Sequence, residues 1–263
     1  MLPLAALSVE ALVDVPGVAT DLDDTLTTHG AGLPGTALRA LETLAAQGVP
    51  CVIATGRPVG WAQVLASLLP VRAVVAENGA AWARREGGGV RVAFLEDEAA
   101  RREGLARARA MTEELRVRFP VLQPVEEWAA RGSDAVLDIG ERARVDRAVV
   151  DEALAHVQRA GLFGVASAIH LHVVHRLPDK TAGLLRALDD VGLDPDALRP
   201  RWIYVGDSPN DAGAFRAITR SVGVANVRRF AMPAWPTYVT RAEGPEGFAE
   251  VVDALLAARR AAR

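Results

Sequence analysis

The chain has one cysteine and one lysine in 263 residues, and only 5% of it is aromatic. A lone cysteine, Cys51, excludes an internal disulfide and fits a reducing compartment. No uncharged apolar run reaches the roughly 18 residues of a membrane-spanning helix. The opening stretch MLPLAALSVEALVDVPG lacks the basic start and continuous apolar core of a signal peptide, and Ser8 to Val13 reads instead as a capped helical turn. Blocks of like charge are missing too: 30 basic and 33 acidic residues are mixed along the chain, for a net charge of -3. That balance excludes nucleic acid or an anionic membrane as the main partner. With half its residues hydrophobic, the chain is expected to be a cytoplasmic globular protein of one large or two modest domains. It shows no repeat and no low-complexity segment, and nothing in it signals an oligomeric state.

The scarcity of lysine makes the one present conspicuous. Every basic residue but Lys180 is arginine, and arginine does not replace lysine where a compact point charge is needed. A second oddity is VATDLDDTLTTHG (18–30), where Asp21, Asp23 and Asp24 crowd behind a short apolar run with no arginine or lysine among them. Carboxylates so close repel one another, so the compensating charge must come from elsewhere in the fold.

Short apolar runs alternate with helical periodicity at the start of the chain: 17–22, a helix over 33–47, VPCVIATG (49–56), a helix around 59–69, and VRAVVAENG (71–79). This rhythm predicts βαβ units and a mainly parallel sheet buried on both faces. The rhythm then changes. A hairpin around Gly87-Gly88-Gly89 (79–95), a long charged helix (97–118), a strand (134–140), a helix (145–159) and a strand (167–174) read as an inserted α+β unit. The first rhythm resumes with a helix from Lys180 to Val191, the strand 201–207, a helix from Asp211 to Ile218, strands at 220–226 and 237–240, and a closing helix. The expected organisation is an α/β, Rossmann-like core formed by 1–81 and 176–263, carrying an α+β cap domain over 82–175.

In an open parallel sheet, ligands bind beyond the carboxyl ends of the strands. Three runs end there in polar groups: Asp21, Asp23 and Thr25; Thr55 and Arg57; Asp207, Asn210 and Asp211. Lys180 opens the helix before the Asp207 strand. Converging carboxylates suit Mg²⁺, which with the Lys180 ammonium would supply the missing positive charge.

The segments DLDDT, ATGRP, PDKTAGLL and GDSPND, in this order, resemble the four motifs of the haloacid dehalogenase superfamily of phosphotransferases. The insert between the second and third motifs is similar to the cap of the type IIB subfamily, which includes sugar-phosphate phosphatases. AENGA, SVGVAN and the closing helix also resemble that subfamily, so the likeness spans nearly the whole chain. GDSPND itself is similar to the motif of mannosyl-3-phosphoglycerate phosphatases. The resemblance implies a Mg²⁺-dependent phosphatase acting on a small phosphorylated metabolite, a sugar or polyol phosphate, through an aspartyl phosphate. Asp21 would be the nucleophile and Asp23 the acid and then the base. Asp21, Asp207 and the backbone carbonyl of Asp23 would hold Mg²⁺, with Asp211 as a further or supporting carboxylate. Thr55 and Lys180 would hold the phosphoryl oxygens, and Asn210 would brace the site. A carboxylate at position 23 favours phosphate chemistry over dehalogenation, which needs no acid there. A phosphomutase and a non-catalytic binding protein are the alternatives on the same scaffold.

Further candidates for substrate contact are Thr25, Arg57, Asn78, His170 and His172. Arg57 either reaches an anionic group of the substrate or pairs with a site aspartate. His170 and His172 share one strand face, which in such a cap can roof the active site; a solvated polar face is the ordinary reading, and a histidine metal site the least expected. Asp24 is assigned a loop-bracing role.

Overall fold

The structure, a computed structural model, describes residues 1–28, 32–142, 144–167 and 169–262. The chain runs β1 (Leu2–Pro3), α1 (Val9–Val13), β2 (Val18–Thr20), α2 (Gly35–Ala46), β3 (Cys51–Ala54), α3 (Val59–Leu68), β4 (Ala73–Ala76), β5 (Ala81–Glu86) and β6 (Gly89–Phe94). It continues through α4 (Glu98–Arg118), β7 (Gln123–Pro124), β8 (Ala135–Asp138), α5 (Arg147–Arg159), β9 (Phe163–Ala166) and β10 (His170–Val174). The last part is α6 (Lys180–Asp190), α7 (Leu198–Arg201), β11 (Ile203–Gly206), α8 (Ala212–Ala217), β12 (Arg220–Gly223), β13 (Tyr238–Val239) and α9 (Gly244–Ala261).

Among the described residues the large sheet has the order β1-β13-β12-β11-β2-β3-β4-β5-β6. It is parallel from β1 through β4. The central strands β2, β3, β4 and β11 are buried along their whole length, which is why they read as continuous apolar runs. Alternate side chains feed two cores: Val18, Ile53, Val74 and Val205 face α2 and α9, while Ala19, Val52, Val75 and Tyr204 face α6 and α8. The strand order reverses at the β2/β11 pair, since the chain goes from β2 outward through β3 and β4 on one side and from β11 through β12 and β13 on the other. Such a switch point opens a crevice at the strands' carboxyl ends.

The smaller sheet, β7-β8-β10-β9, is antiparallel throughout. It buries Leu137, Leu171 and Val173 against Ala108, Met111 and Leu115 of α4 and Val150, Ala153 and Val157 of α5. Asp97 caps α4 by accepting from the Ala100 amide at 3.0 Å, and Arg116 and Arg118 lie in its last turn, where they complement the helix dipole.

Two expectations need correction. The hairpin β5–β6 belongs to the large sheet, with β5 antiparallel to β4. The sheets therefore divide after Phe94 rather than at residue 82. Trp82 and Ala83 lie within the cores of the large sheet, and that buried apolar face draws the hairpin there. The strand expected over 167–174 is described as 170–174, with Ala168 outside the described residues, and β9 precedes it unforeseen. No helix among the described residues is long and apolar enough to cross a membrane.

Candidate active site

Asp21 follows β2 directly, its amide still donating to the Val205 carbonyl at 2.8 Å. The chain then turns: the amides of Leu26 and Thr27 both donate to the Leu22 carbonyl, and Asp24 adopts a left-handed φ of 57°. This turn, not a continuing strand, places Asp21 and Asp23. The Asn226 Nδ2 donates to the Asp24 carbonyl at 3.1 Å and holds the turn from β12's side.

Lys180 is the first residue of α6, whose cap Asp179 accepts from the Thr181 amide at 2.8 Å. Gly79, at φ 110°, packs so closely on this helix start that a Cβ would lie 2.1 Å from the Asp179 carbonyl oxygen. That approach requires glycine. The buried ammonium of Lys180 donates to Asp21 Oδ1 at 2.6 Å and to Asp211 Oδ1 at 2.7 Å. The missing positive charge of DLDD thus arrives from 159 positions away.

Asp211 is fully engaged. Its Oδ1 also accepts from the Tyr204 hydroxyl at 2.6 Å, and its Oδ2 accepts from the amides of Asp207 and Ser208 at 2.9 and 3.1 Å. At Gly206 a Cβ would come within 2.5 Å of that Oδ2, so only glycine lets Asp211 fold back under its own loop. Asp207 accepts from Asn226 Nδ2 at 2.9 Å and lies 3.5 Å from the Thr25 hydroxyl.

Asp21, Asp207 and Asp211 each bring a carboxylate oxygen within 4.8 Å of the others, and all three are buried. Burial pushes Asp21 up to about 8; the Lys180 charge pulls it down, while Asp211 and Asp23 push it up again. Burial, then the charges of Asp21 and Asp211, push Asp207 up to about 9. Three buried carboxylates against one ammonium leave an excess of negative charge that a hard divalent cation would neutralise. The oxygen-only donor set fits Mg²⁺. Asp21 and Asp207 would hold it, with the engaged Asp211 behind them.

Asp23 faces the other way. Its carboxylate, 44% exposed, accepts from Arg57 Nε at 3.0 Å and Nη2 at 2.9 Å, and stands 3.4 Å from the Thr55 hydroxyl. Thr55 Oγ1 accepts from the Arg57 amide at 3.0 Å, which ties the β3 loop to Asp23. Arg57 stacks over Trp61 with 4.7 Å to the ring centroid, and its Nη1 reaches Glu127 of the cap at 3.2 Å. Of the two readings of Arg57, the structure has the aspartate pair.

Several candidates lie elsewhere than expected. Thr25 is wholly buried, its hydroxyl directed to Asp207, so it supports a carboxylate instead of lining the substrate space. Asn210 is exposed and its Oδ1 accepts from the Ser208 hydroxyl at 2.7 Å; among the described residues the bracing expected of it is done by Asn226. His170 sits 3.0 Å from Glu141 and His172 2.8 Å from Asp134. These carboxylate partners occupy the imidazoles, and among the described residues the metal-competent group is the aspartate cluster alone. Asn78 has φ 55°, and its buried Oδ1, which has no hydrogen-bond partner among the described residues, faces Gly56 of the Thr55 loop. Its neighbour Glu77 ties core to cap, accepting from the amides of Val59 at 3.0 Å, Gly132 at 2.7 Å and Ser133 at 2.6 Å. Sequence reasoning missed Tyr204 and Asn226. The only signal for either was a polar group on or just after an apolar strand run.

A family model described as haloacid dehalogenase-like hydrolase matches residues 18–96, the stretch carrying Asp21, Asp23, Thr55 and Arg57. Over that stretch the chain is similar to the haloacid dehalogenase-like hydrolases. A phosphoglycolate phosphatase of Halorubrum lacusprofundi is 29% identical over 222 residues, covering 81% of this chain and 85% of that protein. The crystal structure of Thermoplasma acidophilum 0175 superimposes with a TM-score of 0.73 at 17% identity, covering 92% of this chain and 98% of that chain. The sucrose-phosphatase of Synechocystis, in complex with sucrose and phosphate, superimposes with a TM-score of 0.63 at 17% identity, covering 90% and 96%. At such identities the two structures show a shared fold, with the antiparallel cap included.

Proposed function

We propose that this protein is a Mg²⁺-dependent phosphatase that cleaves a small phosphorylated metabolite, a sugar or polyol phosphate, through an aspartyl phosphate on Asp21. The observation that carries the reading is the buried cluster of Asp21, Asp207 and Asp211 at the strand-order switch, with Lys180 donating to Asp21 and Asp211. The relatives named phosphoglycolate phosphatase support the reaction class.

In this reading an Asp21 oxygen attacks phosphorus as the bond to the leaving oxygen breaks, and Asp23 gives that oxygen its proton. Asp23 then takes a proton from water, whose oxygen attacks the phosphorus and releases phosphate and free Asp21. Lys180 and the Thr55 hydroxyl hold the phosphoryl oxygens, for phosphoryl transfer asks the protein chiefly for positioning and charge neutralisation. Bound Mg²⁺ would mask the charge of the phosphate from the attacking carboxylate. Tyr204, Thr25 and Asn226 keep the acidic groups in register.

The test is phosphate release from a panel of phosphorylated metabolites, with Mg²⁺ or chelator, by wild type and Asp21→Asn. Metal-dependent release that falls to background in the variant is the expected result. A folded, Mg²⁺-binding protein that releases none from any compound overturns it.

A further inference from the structure

The specificity of the site follows from where its acid lies, given the phosphatase reading above. If Asp23 protonates the leaving oxygen, the leaving group rests against the Asp23 carboxylate, and the groups beside that carboxylate choose it.

The first of them is Arg57, and three of its five donors are engaged. Nε and Nη2 hold Asp23, and Nη1 holds Glu127, from the segment between β7 and β8. Burial works against the Arg57 charge, but Asp23, then Glu127 and Glu141, outweigh it and hold the guanidinium above its usual pKa. Glu141, just after β8, also holds His170 at 3.0 Å, and burial keeps that imidazole below its ordinary pKa, hence neutral. The second guanidinium here, Arg131, meets the Gly56 carbonyl at 3.4 Å and is held by both oxygens of Asp134, at 3.0 and 2.9 Å. Two arginines therefore stand among four carboxylates: Asp23, Glu127, Asp134 and Glu141.

We infer that Glu127 and Glu141 are specificity-determining acceptors, which select a phosphomonoester with a neutral, hydroxyl-bearing leaving group and reject one whose leaving group carries a carboxylate. Their side chains keep 22% and 37% of their surface open, enough to accept from an incoming hydroxyl. A hydroxyl donated to a carboxylate makes one of the stronger hydrogen bonds available. A substrate carboxylate meets net negative charge and a guanidinium already shared between Asp23 and Glu127. The chain is thereby set apart from its relatives named phosphoglycolate phosphatase, since phosphoglycolate bears a carboxylate.

The experiment compares kcat/KM for glycerol phosphate and glucose 6-phosphate with that for phosphoglycolate, in wild type, Glu127→Gln and Glu141→Gln. p-Nitrophenyl phosphate with Mg²⁺, in wild type and Asp21→Asn, serves as the control for hydrolysis itself. Wild type should favour a polyol phosphate by about tenfold or more, and at least one variant should narrow that ratio by about tenfold. A merely structural role for the two glutamates would lower both substrates alike and leave the ratio unmoved. A wild type that favours phosphoglycolate, or a ratio unchanged in both variants, overturns the inference while the control turnover leaves the phosphatase reading intact. Absence of Mg²⁺-dependent, Asp21-dependent turnover of p-nitrophenyl phosphate overturns both.

Discussion

At Lys180 one ammonium answers two buried carboxylates. Replacing it with methionine keeps the length of the stem and leaves Asp21 and Asp211 without their partner. Removing one member of a buried ion pair costs about 3–5 kcal/mol. Denaturant unfolding of Lys180→Met should show a loss of that size, together with loss of phosphate release. Tyr204→Phe removes a single hydrogen bond to Asp211, which keeps its three other donors, and should cost about 1–3 kcal/mol by the same measurement. Asp23→Asn should lower kcat by about 10²- to 10⁴-fold, the usual weight of a general acid, while Mg²⁺ binding measured by calorimetry persists. The sequence showed Asp21, Lys180, Asp207 and Asp211 because each stands beside a recognisable strand end or helix start. It hid Tyr204 and Asn226, since what matters in them is a partner 7 or 19 positions away that only the folded sheet brings near. Arg57 had two readings of equal standing, and only the position of Asp23 across 34 residues separates them.

At the level of elements, the turn after β4 carries two adjacent non-glycine residues, Glu77 and Asn78, in the left-handed region, at φ 50° and 55°. Such strain persists only where surrounding contacts determine it, and here the three amides on Glu77 do so. Burial, then the charge of Asp134, push Glu77 up to about 7 against the hydrogen bonds of Gly132 and Val59. The native state therefore binds a proton that the unfolded chain has already lost between about pH 4.5 and 7. The associated stability is present below that window and lost as pH rises through it. Glu77→Gln removes this titration, so the stability difference between wild type and variant should narrow from pH 5 to 7 in denaturant titrations. A constant difference would refute the assignment. The same turn explains why the β5–β6 hairpin was legible as a hairpin but not as part of the large sheet. A hairpin is a local pattern, whereas its pairing with β4 depends on the left-handed backbone of Glu77 and Asn78, which side chains of their kind do not announce. β9 was hidden for a related reason: four residues including a glycine and an alanine, FGVA, give too short a period to read.

Over the whole molecule, the excess of buried carboxylate makes the folded state a cation receptor. A ligand that binds only the native state at about 100 times its Kd adds about 2.7 kcal/mol. For a chain of this size that corresponds to a rise in Tm of roughly 5–10 °C, at about 2–4 °C per kcal/mol. Saturating Mg²⁺ should raise Tm by that order in differential scanning fluorimetry, and Asp207→Asn should abolish the rise. The α/β alternation was readable because strands buried on both faces leave continuous apolar runs. The division of the two sheets was not, since it depends on which buried surface the hairpin finds.

The position of β2 has a consequence for the chain as it is being made. In the finished sheet β2 lies between β3 and β11, yet β11 begins 183 positions after Thr20. Once β6 has left the ribosome, β2 waits as an open flank with unpaired amides and carbonyls until the segment through Gly206, the end of β11, has followed. At bacterial or eukaryotic elongation rates that wait is roughly 5–20 s. Such a flank is a template for wrong pairing with another nascent chain. The acidic DLDD turn stands at its end, Asp23 paired with Arg57 but Asp21 without its cation until Lys180 emerges, and nascent chains that carry the same excess charge there repel one another. The carboxylates gathered for catalysis would thus also guard the unfinished sheet.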